Sequence, residues 1–262
     1  MKTNFTGGLR TKNIIKQSKE DQPLISIITV VCNAEKTLEE TILSVLNQTY
    51  INIEYIIVDG ASNDNSLNII KKYDDRIDYW ISENDGGIYE AMNKGIDLAN
   101  GEYIALLNSD DWYELNVCEI IAEKIKEVKY DVYYAIARVI DKKGNVMYLH
   151  GSTINDISHQ SLAHQTCFIS KNIYKHNKYS LKYRSASDYD FLCNLIIKNI
   201  SFIFIEFVFV NYRLNGMSDS ILCQLETIDI KKKYKYINFS YYIIHKIYLT
   251  IIYFIEKLRK NK

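Results

Sequence analysis

The sequence has almost no proline, no paired cysteines, no net charge and no uninterrupted apolar span. Pro23 is the single proline in 262 residues. Beside so many Ile, Lys, Asn and Tyr residues this reflects overall composition, and it carries no functional weight. Cys32, Cys118, Cys167, Cys193 and Cys223 are odd in number and widely spaced. Without a Cys-x-x-Cys pair, neither a zinc knuckle nor a thioredoxin-like site is indicated; scattered thiols on apolar segments read as buried cysteines of a cytosolic protein. The 32 basic residues are matched by 32 acidic ones, so the basic surplus of a simple nucleic-acid binder is missing. There is no G-x-G-x-x-G and no P-loop lysine motif, which argues against a dinucleotide-binding Rossmann site and an NTPase. The first twenty residues have no apolar core of a secretory signal. Ile237 to Ile255 comes nearest to a membrane span, but His245 and Lys246 interrupt its centre, at a high cost in a bilayer.

What is present is unevenly placed. Hydrophobic residues make up 47%, enough to bury a sizeable core and to exclude wholesale disorder. Residues 1–22 carry a charge of +3 and residues 231–262 carry +8, so the stretch from Pro23 to Ile230 carries −11. The ends are basic and the body is acidic.

Residues 1–22 are polar and unpatterned and read as a loose basic arm. After Pro23, apolar β-branched runs alternate with helical spacing. Leu24 to Val31, Asn52 to Val58, Ile77 to Ile81 and Glu102 to Leu107 read as strands. Ala34 to Leu46, Asn63 to Tyr73 and Ile88 to Ala99 read as helices between them. That alternation predicts βαβ units and a mostly parallel sheet flanked by helices, an α/β fold. Further on, Leu115 to Val128 and Ser187 to Lys198 read as helices, Asp131 to Ile140 and Val146 to His150 as a hairpin, and Ser201 to Val210 as a strand.

In open α/β sheets, ligands bind beyond the carboxyl ends of the strands. The segments following the four strands are Cys32-Asn33-Ala34-Glu35, Asp59-Gly60-Ala61-Ser62-Asn63-Asp64, Glu83-Asn84-Asp85-Gly86-Gly87 and Asn108-Ser109-Asp110-Asp111. Each alone could be a helix cap; four on one sheet edge suggest a site. An acidic edge cannot hold phosphate by charge, but a divalent cation resolves the conflict. Asp110 and Asp111 are hard oxygen ligands suited to Mg²⁺ or Mn²⁺. Gly86 and Gly87 would let backbone amides approach a diphosphate, with Lys94 as a basic partner.

The ordered series ISIITVVCNAEKTLEETILSVLNQTY, EYIIVDGASNDNS, SENDGGIYEAMNKGIDLANGEYIALLNSDD, HQTCF and SASDYDF resembles the family 2 inverting glycosyltransferases of the GT-A fold. The similarity covers roughly residues 24–215 and is strongest to transferases that build bacterial O-antigen, colanic acid and exopolysaccharide. It implies a nucleotide-sugar-binding half over 23–111, an acceptor half over 112–220, and a basic amphipathic C-terminal segment over 221–262. By the resemblance, Asp59 contacts the base, Asn33 lies beside the nucleoside, and the segment holding Gly86, Gly87, Asn93 and Lys94 closes over the diphosphate. Asn108-Ser109-Asp110 stands at the D-x-D position. Asp110 is then the metal ligand for Mn²⁺ or Mg²⁺, while Asn108, in place of the first Asp, weakens that site. Asp188 matches the general base, which removes the proton of the attacking sugar hydroxyl. His164 and Trp112 are expected on the acceptor side; a second metal ligand is the other possibility for His164, and each has a bland alternative, as a loop histidine or a packing aromatic.

The implied reaction moves a sugar, with UDP-Glc or UDP-Gal the leading donors, to a hydroxyl of a lipid-diphosphate-linked glycan. The rival readings are an NDP-sugar nucleotidyltransferase, disfavoured because the loop after the first strand has no glycine, and a catalytically lapsed sugar-binding scaffold. Basic flanks and an apolar face suit the C-terminal segment to an anionic membrane, which implies peripheral attachment to the inner face of the bacterial cytoplasmic membrane. Packing on the domain or in a homodimer is the alternative.

Overall fold

The computed structural model describes residues 5–214 and 220–260. In chain order the elements are β1 (Phe5–Gly7), β2 (Ile25–Val31), α1 (Leu38–Leu46), β3 (Ile53–Asp59), α2 (Ser66–Lys72), β4 (Tyr79–Ser82), α3 (Ile88–Leu98), β5 (Tyr103–Asn108), β6 (Trp112–Tyr113), α4 (Val117–Glu127), β7 (Val132–Ile140), β8 (Val146–His150), β9 (Phe168–Ser170), α5 (Lys171–His176), α6 (Ser187–Ile197), β10 (Phe202–Arg213), α7 (Ile221–Lys233) and α8 (Phe239–Lys260). Ten strands form one sheet in the order β1-β4-β3-β2-β5-β9-β7-β10-β6, with β8 paired to β7. It is parallel across β4-β3-β2-β5 and again for β7-β10, and antiparallel at the other pairings. The donor half and the acceptor half expected from the sequence therefore share a single sheet.

The central strands are apolar on both faces because helices cover both. Ile25, Ile27, Ile53, Tyr55 and Ile57 join one core with Leu38 and Ile42 of α1 and Ile121 of α4. Ile28, Val30, Ile56 and Val58 join the other with Met92 and Ile96 of α3 and Phe191 of α6. Strict alternation along β2 and β3 is the period-two signature of a pleated strand. α3 lies unusually close to the sheet at Gly95, where a Cβ would stand 2.4 Å from Ile28 Cγ2. Only a missing side chain permits that approach.

Residues 5–22 are not a loose arm, and residues 1–4 lie outside the described residues. β1 pairs antiparallel with β4, Phe5 opposite Ser82 and Gly7 opposite Trp80. The reason is electrostatic. Glu54 and Asp78 are each 1% exposed, and buried carboxylates need partners. Arg10 reaches Glu54 Oε1 at 3.4 Å and donates to the Leu98 carbonyl at 2.8 Å. Lys16 donates to Asp78 Oδ2 at 2.9 Å and to the Ile53 carbonyl at 2.6 Å. Burial still pushes the Asp78 carboxyl above its ordinary range, against the pull of Lys16. Part of the basic charge at this end thus neutralises the body internally.

Candidate active site

The carboxyl ends of β2 and β5 meet the start of α6 and the segment around His164 in one cleft of about 780 Å³. Asn33, Gly87, Asn108, Ser109, Asp110, His164 and Asp188, all named from sequence, line it together.

The loop after β2 is shaped from behind. Asp59, fully buried, accepts from the Ser62 hydroxyl at 2.5 Å and the Ser82 hydroxyl at 2.6 Å. The Ser62 hydroxyl oxygen accepts from the Asn33 amide at 2.8 Å, and Asn33 Oδ1 accepts from the Asn63 amide at 2.9 Å. Asn33 itself has φ +54°, a conformation that Asn tolerates better than most residues. Asp59 is outside the cleft lining, so its observed work is to hold the loop that presents Asn33.

The acidic loop after β5 is held as firmly. Asp111 is fully buried and accepts from the Arg213 amide at 3.0 Å and from Gln165 Nε2 at 3.1 Å. Arg213 also donates to the Asp110 carbonyl at 2.6 Å and pairs with Glu40. Thr37 donates to the Ser109 carbonyl at 2.9 Å and Thr41 to the Asp111 carbonyl at 2.7 Å. Burial raises the Asp110 carboxyl above its usual range, and burial together with Asp110 raises Asp111 well above it. Two adjoining acids, Asp110 half-buried and Asp111 fully buried, are short of positive charge. Asn108 Oδ1 is buried without a hydrogen-bond partner, an acceptor with nothing to accept. An amide oxygen and a carboxylate on one loop are hard donors that fit a divalent cation. They fall short of a complete site, since no group of three His, Cys, Asp or Glu ligands occurs among the described residues; a cation here would need further ligands from substrate and water.

Asp188 is the second residue of α6. Tyr89 of α3 donates to its Oδ1 at 2.9 Å, and His164 Nδ1 lies 3.1 Å from its Oδ2. Burial acts to raise this carboxyl, but His164, Tyr89 and the α6 backbone outweigh it and hold it below the usual carboxylate range. Burial first, then the Asp188 charge, drives the Tyr89 hydroxyl far up, so Tyr89 stays a donor. The carboxylate is ionised, oriented and 22% exposed, which are the requirements for a base that must meet a hydroxyl. His164 Nε2 is buried without a partner.

Besides Asp59, four residues expected in the site lie outside the cleft lining. Both amide atoms of Asn93 are occupied by the Tyr179 backbone, at 2.9 Å each. Lys94 pairs with Glu83. The Gly86 amide donates to Glu90 Oε2 at 2.8 Å, and only Gly87, at φ +127°, faces the cleft. The Trp112 ring lies under the Arg213 guanidinium, 4.3 Å from its carbon to the ring centroid, which covers one face. Conversely, Tyr89 and Arg213 were not foreseen. Tyr89 stands in the segment GGIYEAMNKG, but only the fold brings it to Asp188.

A mixed sheet with helices on both faces, an acidic loop after its central strand and an oriented carboxylate across the cleft define a GT-A fold of the kind that handles nucleotide sugars. The description "Glycosyl transferase family 2" matches residues 26–200, and the chain belongs to that family. It is 40% identical over 112 residues to glycosyltransferase GlyG of Streptococcus pneumoniae serotype 4, a match that covers 42% of this chain and 37% of GlyG. The chain thus spans little more than a third of that relative. The fold is similar to S. aureus TarS 1–349 in complex with UDP-GlcNAc, with TM-score 0.66 and 19% identity, over 80% of this chain and 66% of that one. It is also similar to mannosyltransferase PcManGT from Pyrobaculum calidifontis in complex with GDP-Man and Mn²⁺, with TM-score 0.63 and 12% identity, over 88% and 70%.

Proposed function

We propose that this chain is an inverting glycosyltransferase. It moves a sugar from a nucleotide-sugar donor to a hydroxyl of a lipid-diphosphate-linked glycan in bacterial surface polysaccharide synthesis. The observation that carries the reading is the convergence of Asn33, Asn108 and Asp110 with Asp188 on one cleft. The first three suit a nucleoside diphosphate and the last suits an incoming hydroxyl. UDP-Glc and UDP-Gal are the first donors to try.

Asn33 and the Gly87 loop would orient the nucleotide. Asp188 takes the proton of the acceptor hydroxyl as it attacks the anomeric carbon, with Tyr89 and His164 fixing its direction. In-line attack opposite the leaving nucleoside diphosphate inverts the anomeric centre. Asp110 and Asn108 would hold Mn²⁺ or Mg²⁺, which offsets the leaving group's charge when bound. Oriented groups place the reacting atoms in contact before the barrier is crossed. His164 stands on the acceptor side of the cleft.

No helix among the described residues is long and apolar enough to cross a membrane. The reading places the enzyme in the cytoplasm, held peripherally at the inner face of the membrane through α8, beside a lipid-borne acceptor.

The test is a panel of nucleotide sugars with a synthetic lipid-diphosphate acceptor, read by nucleotide release and by the mass of the product. Asp188→Asn should bind the sugar donor and lose transfer by roughly 10²–10⁴-fold. Transfer at the wild-type rate would remove Asp188 from its role.

A further inference from the structure

The segment that carries Asp188 into the cleft is held from outside the catalytic body. The N-cap residue of α6 is Ala186, which has no side chain to cap the helix, and no side-chain cap is present. Instead a carboxylate arrives from another helix. Glu226 of α7 accepts from the amides of Arg184, Ser185 and Ala186 at 2.8, 2.8 and 3.0 Å, and from the Ser185 hydroxyl at 3.2 Å. Three successive amides on one carboxylate form an anion cup, and charge-assisted bonds of this kind are about twice as strong as neutral ones. A second contact from α7 falls on the other side of the base. Lys233 donates to Asp190 Oδ1 at 2.6 Å, and Tyr234, just past α7, donates to the Asp190 carbonyl at 3.2 Å.

Asp188 sits two residues after the first contact and two before the second. Ser185 and Asp188 both line the cleft, whereas Glu226 does not touch it. Glu226 also lies beyond residues 26–200, the stretch that matches the family. We propose that Glu226 is a positioning residue for the base: by fixing the amides of residues 184–186 it sets where the Asp188 carboxylate stands. α7 is then part of the catalytic apparatus and not only a link to α8. The inference rests on Asp188 being the base of the proposed transfer.

A displacement of about 1 Å at a reacting group can cost about 10²-fold in rate. Glu226→Gln should therefore lower kcat roughly 10- to 100-fold while leaving the KM for the sugar donor within about twofold. Glu226→Asp, which keeps the charge on a shorter side chain, should lose less than Glu226→Gln but stay at least about threefold below wild type. Amide hydrogen exchange at residues 184–186 should quicken in Glu226→Gln and not at β2 or β3. The idea is overturned if Glu226→Gln keeps kcat within about twofold of wild type. It is equally overturned if kcat and donor affinity fall together with melting temperature, the mark of a merely structural role. Should Glu226→Gln fail to fold, the same kinetics on Glu226→Asp decide, with an unchanged kcat counting against the proposal. If the wild type releases nucleotide from no sugar donor, the proposed function fails; exchange at 184–186 then judges the contact by itself, and an unchanged rate in either variant overturns it.

Discussion

Tyr89 on α3 donates to Asp188 on α6 at 2.9 Å, across 99 residues of sequence. The bond joins the helix that follows the Gly87 loop to the helix that carries the proposed base, and so helps tie the two halves of the cleft together. Tyr89→Phe removes it at little cost in volume. A hydrogen bond to a charged group is worth about 1.5–3 kcal/mol, so kcat should fall by roughly 10- to 100-fold. The pH profile should move as well. Tyr89 is one of the groups that hold the Asp188 carboxyl low, and a base must be unprotonated to work. Without Tyr89 the carboxyl rises, and the acid limb of kcat shifts to higher pH. A rate profile of the variant from about pH 4 to 8, around the ordinary carboxylate and imidazole ranges, reads both effects; an unmoved acid limb would separate Tyr89 from the base.

His164 makes the same case through stability. Its ring lies 3.1 Å from Asp188 Oδ2 and, after burial acting the other way, is the foremost group lowering that carboxyl. An acid depressed on folding adds stability above its unfolded pKa, about 3.9, and loses it as pH falls through the folded value. Wild type should accordingly lose stability on acidification below about pH 4, and His164→Ala should lose less over the same interval. Urea melts at a series of acid pH values measure this. Equal acid slopes for the two proteins would refute the pairing.

Asn108 and Asp110 allow a gain-of-function test. Asn108 Oδ1 is buried and unpartnered, and an added carboxylate there would strengthen any cation site. Asn108→Asp should lower the Mn²⁺ concentration needed for half-maximal transfer, by about tenfold for each 1.4 kcal/mol of added affinity. Asp110→Asn should abolish the response to metal, and chelation of wild type should suppress transfer. Full activity in Asp110→Asn would end the role of Asp110 as ligand.

Much of the sheet is legible in the sequence. β2 and β3 show as apolar runs because both faces are covered, and the loops after β2, β5 and the start of α6 show as polar breaks at strand and helix ends. β1 is only Phe5–Gly7, too short for a period to register. What orders it is remote: Arg10 meets Glu54, and Lys16 meets Asp78, 62 residues away. The same limit governs the site. Asn33, Asp110 and Asp188 were legible because each sits at the end of a regular element. Asn93 and Lys94 lie off the cleft lining, and their partners, Tyr179 and Glu83, cannot be inferred from spacing along α3. Local pattern gives the elements, whereas pairings between distant polar groups belong to the fold.

The N-terminal contact can be tested alone. Lys16→Met leaves Asp78, 1% exposed, without its cation. Breaking a fully buried pair costs about 3–5 kcal/mol. Lys16 keeps 32% of its side-chain exposure, so the expected loss is smaller, roughly 2 kcal/mol. Denaturant melts should show it as a lowered midpoint with unchanged slope. A double variant, Lys16→Met with Asp78→Asn, should restore part of the loss, because the uncompensated charge is gone. An unchanged midpoint in the single variant would return residues 5–22 to the status of a detachable arm.

α8 presents one apolar face to solvent. The basic interruption that rules out a membrane span does not interrupt its outer face. Lys246 turns inward and donates to Asp229 of α7 at 2.6 Å, and Tyr242 reaches the same carboxylate at 3.1 Å. Ile244, Ile247, Ile251, Phe254 and Leu258 stay 55–67% exposed, at spacings of three and four that align them on one side. Lys231, Lys232 and Lys235 stand before this stripe and Lys257 at its far end, which suits an anionic surface. Burial of one such side chain is worth about 1.5–3 kcal/mol. Ile247→Asn with Ile251→Asn should therefore weaken binding to vesicles containing phosphatidylglycerol by about 100-fold or more, since 1.4 kcal/mol is tenfold. Raised salt should weaken the wild type, as screening of the basic flanks requires. Flotation of protein with vesicles reads both, and melting curves check that the variant stays folded. A wild-type protein that remains with the soluble fraction at low salt would show that this stripe meets something other than a lipid surface, with a second copy of α8 the first alternative for sedimentation to examine.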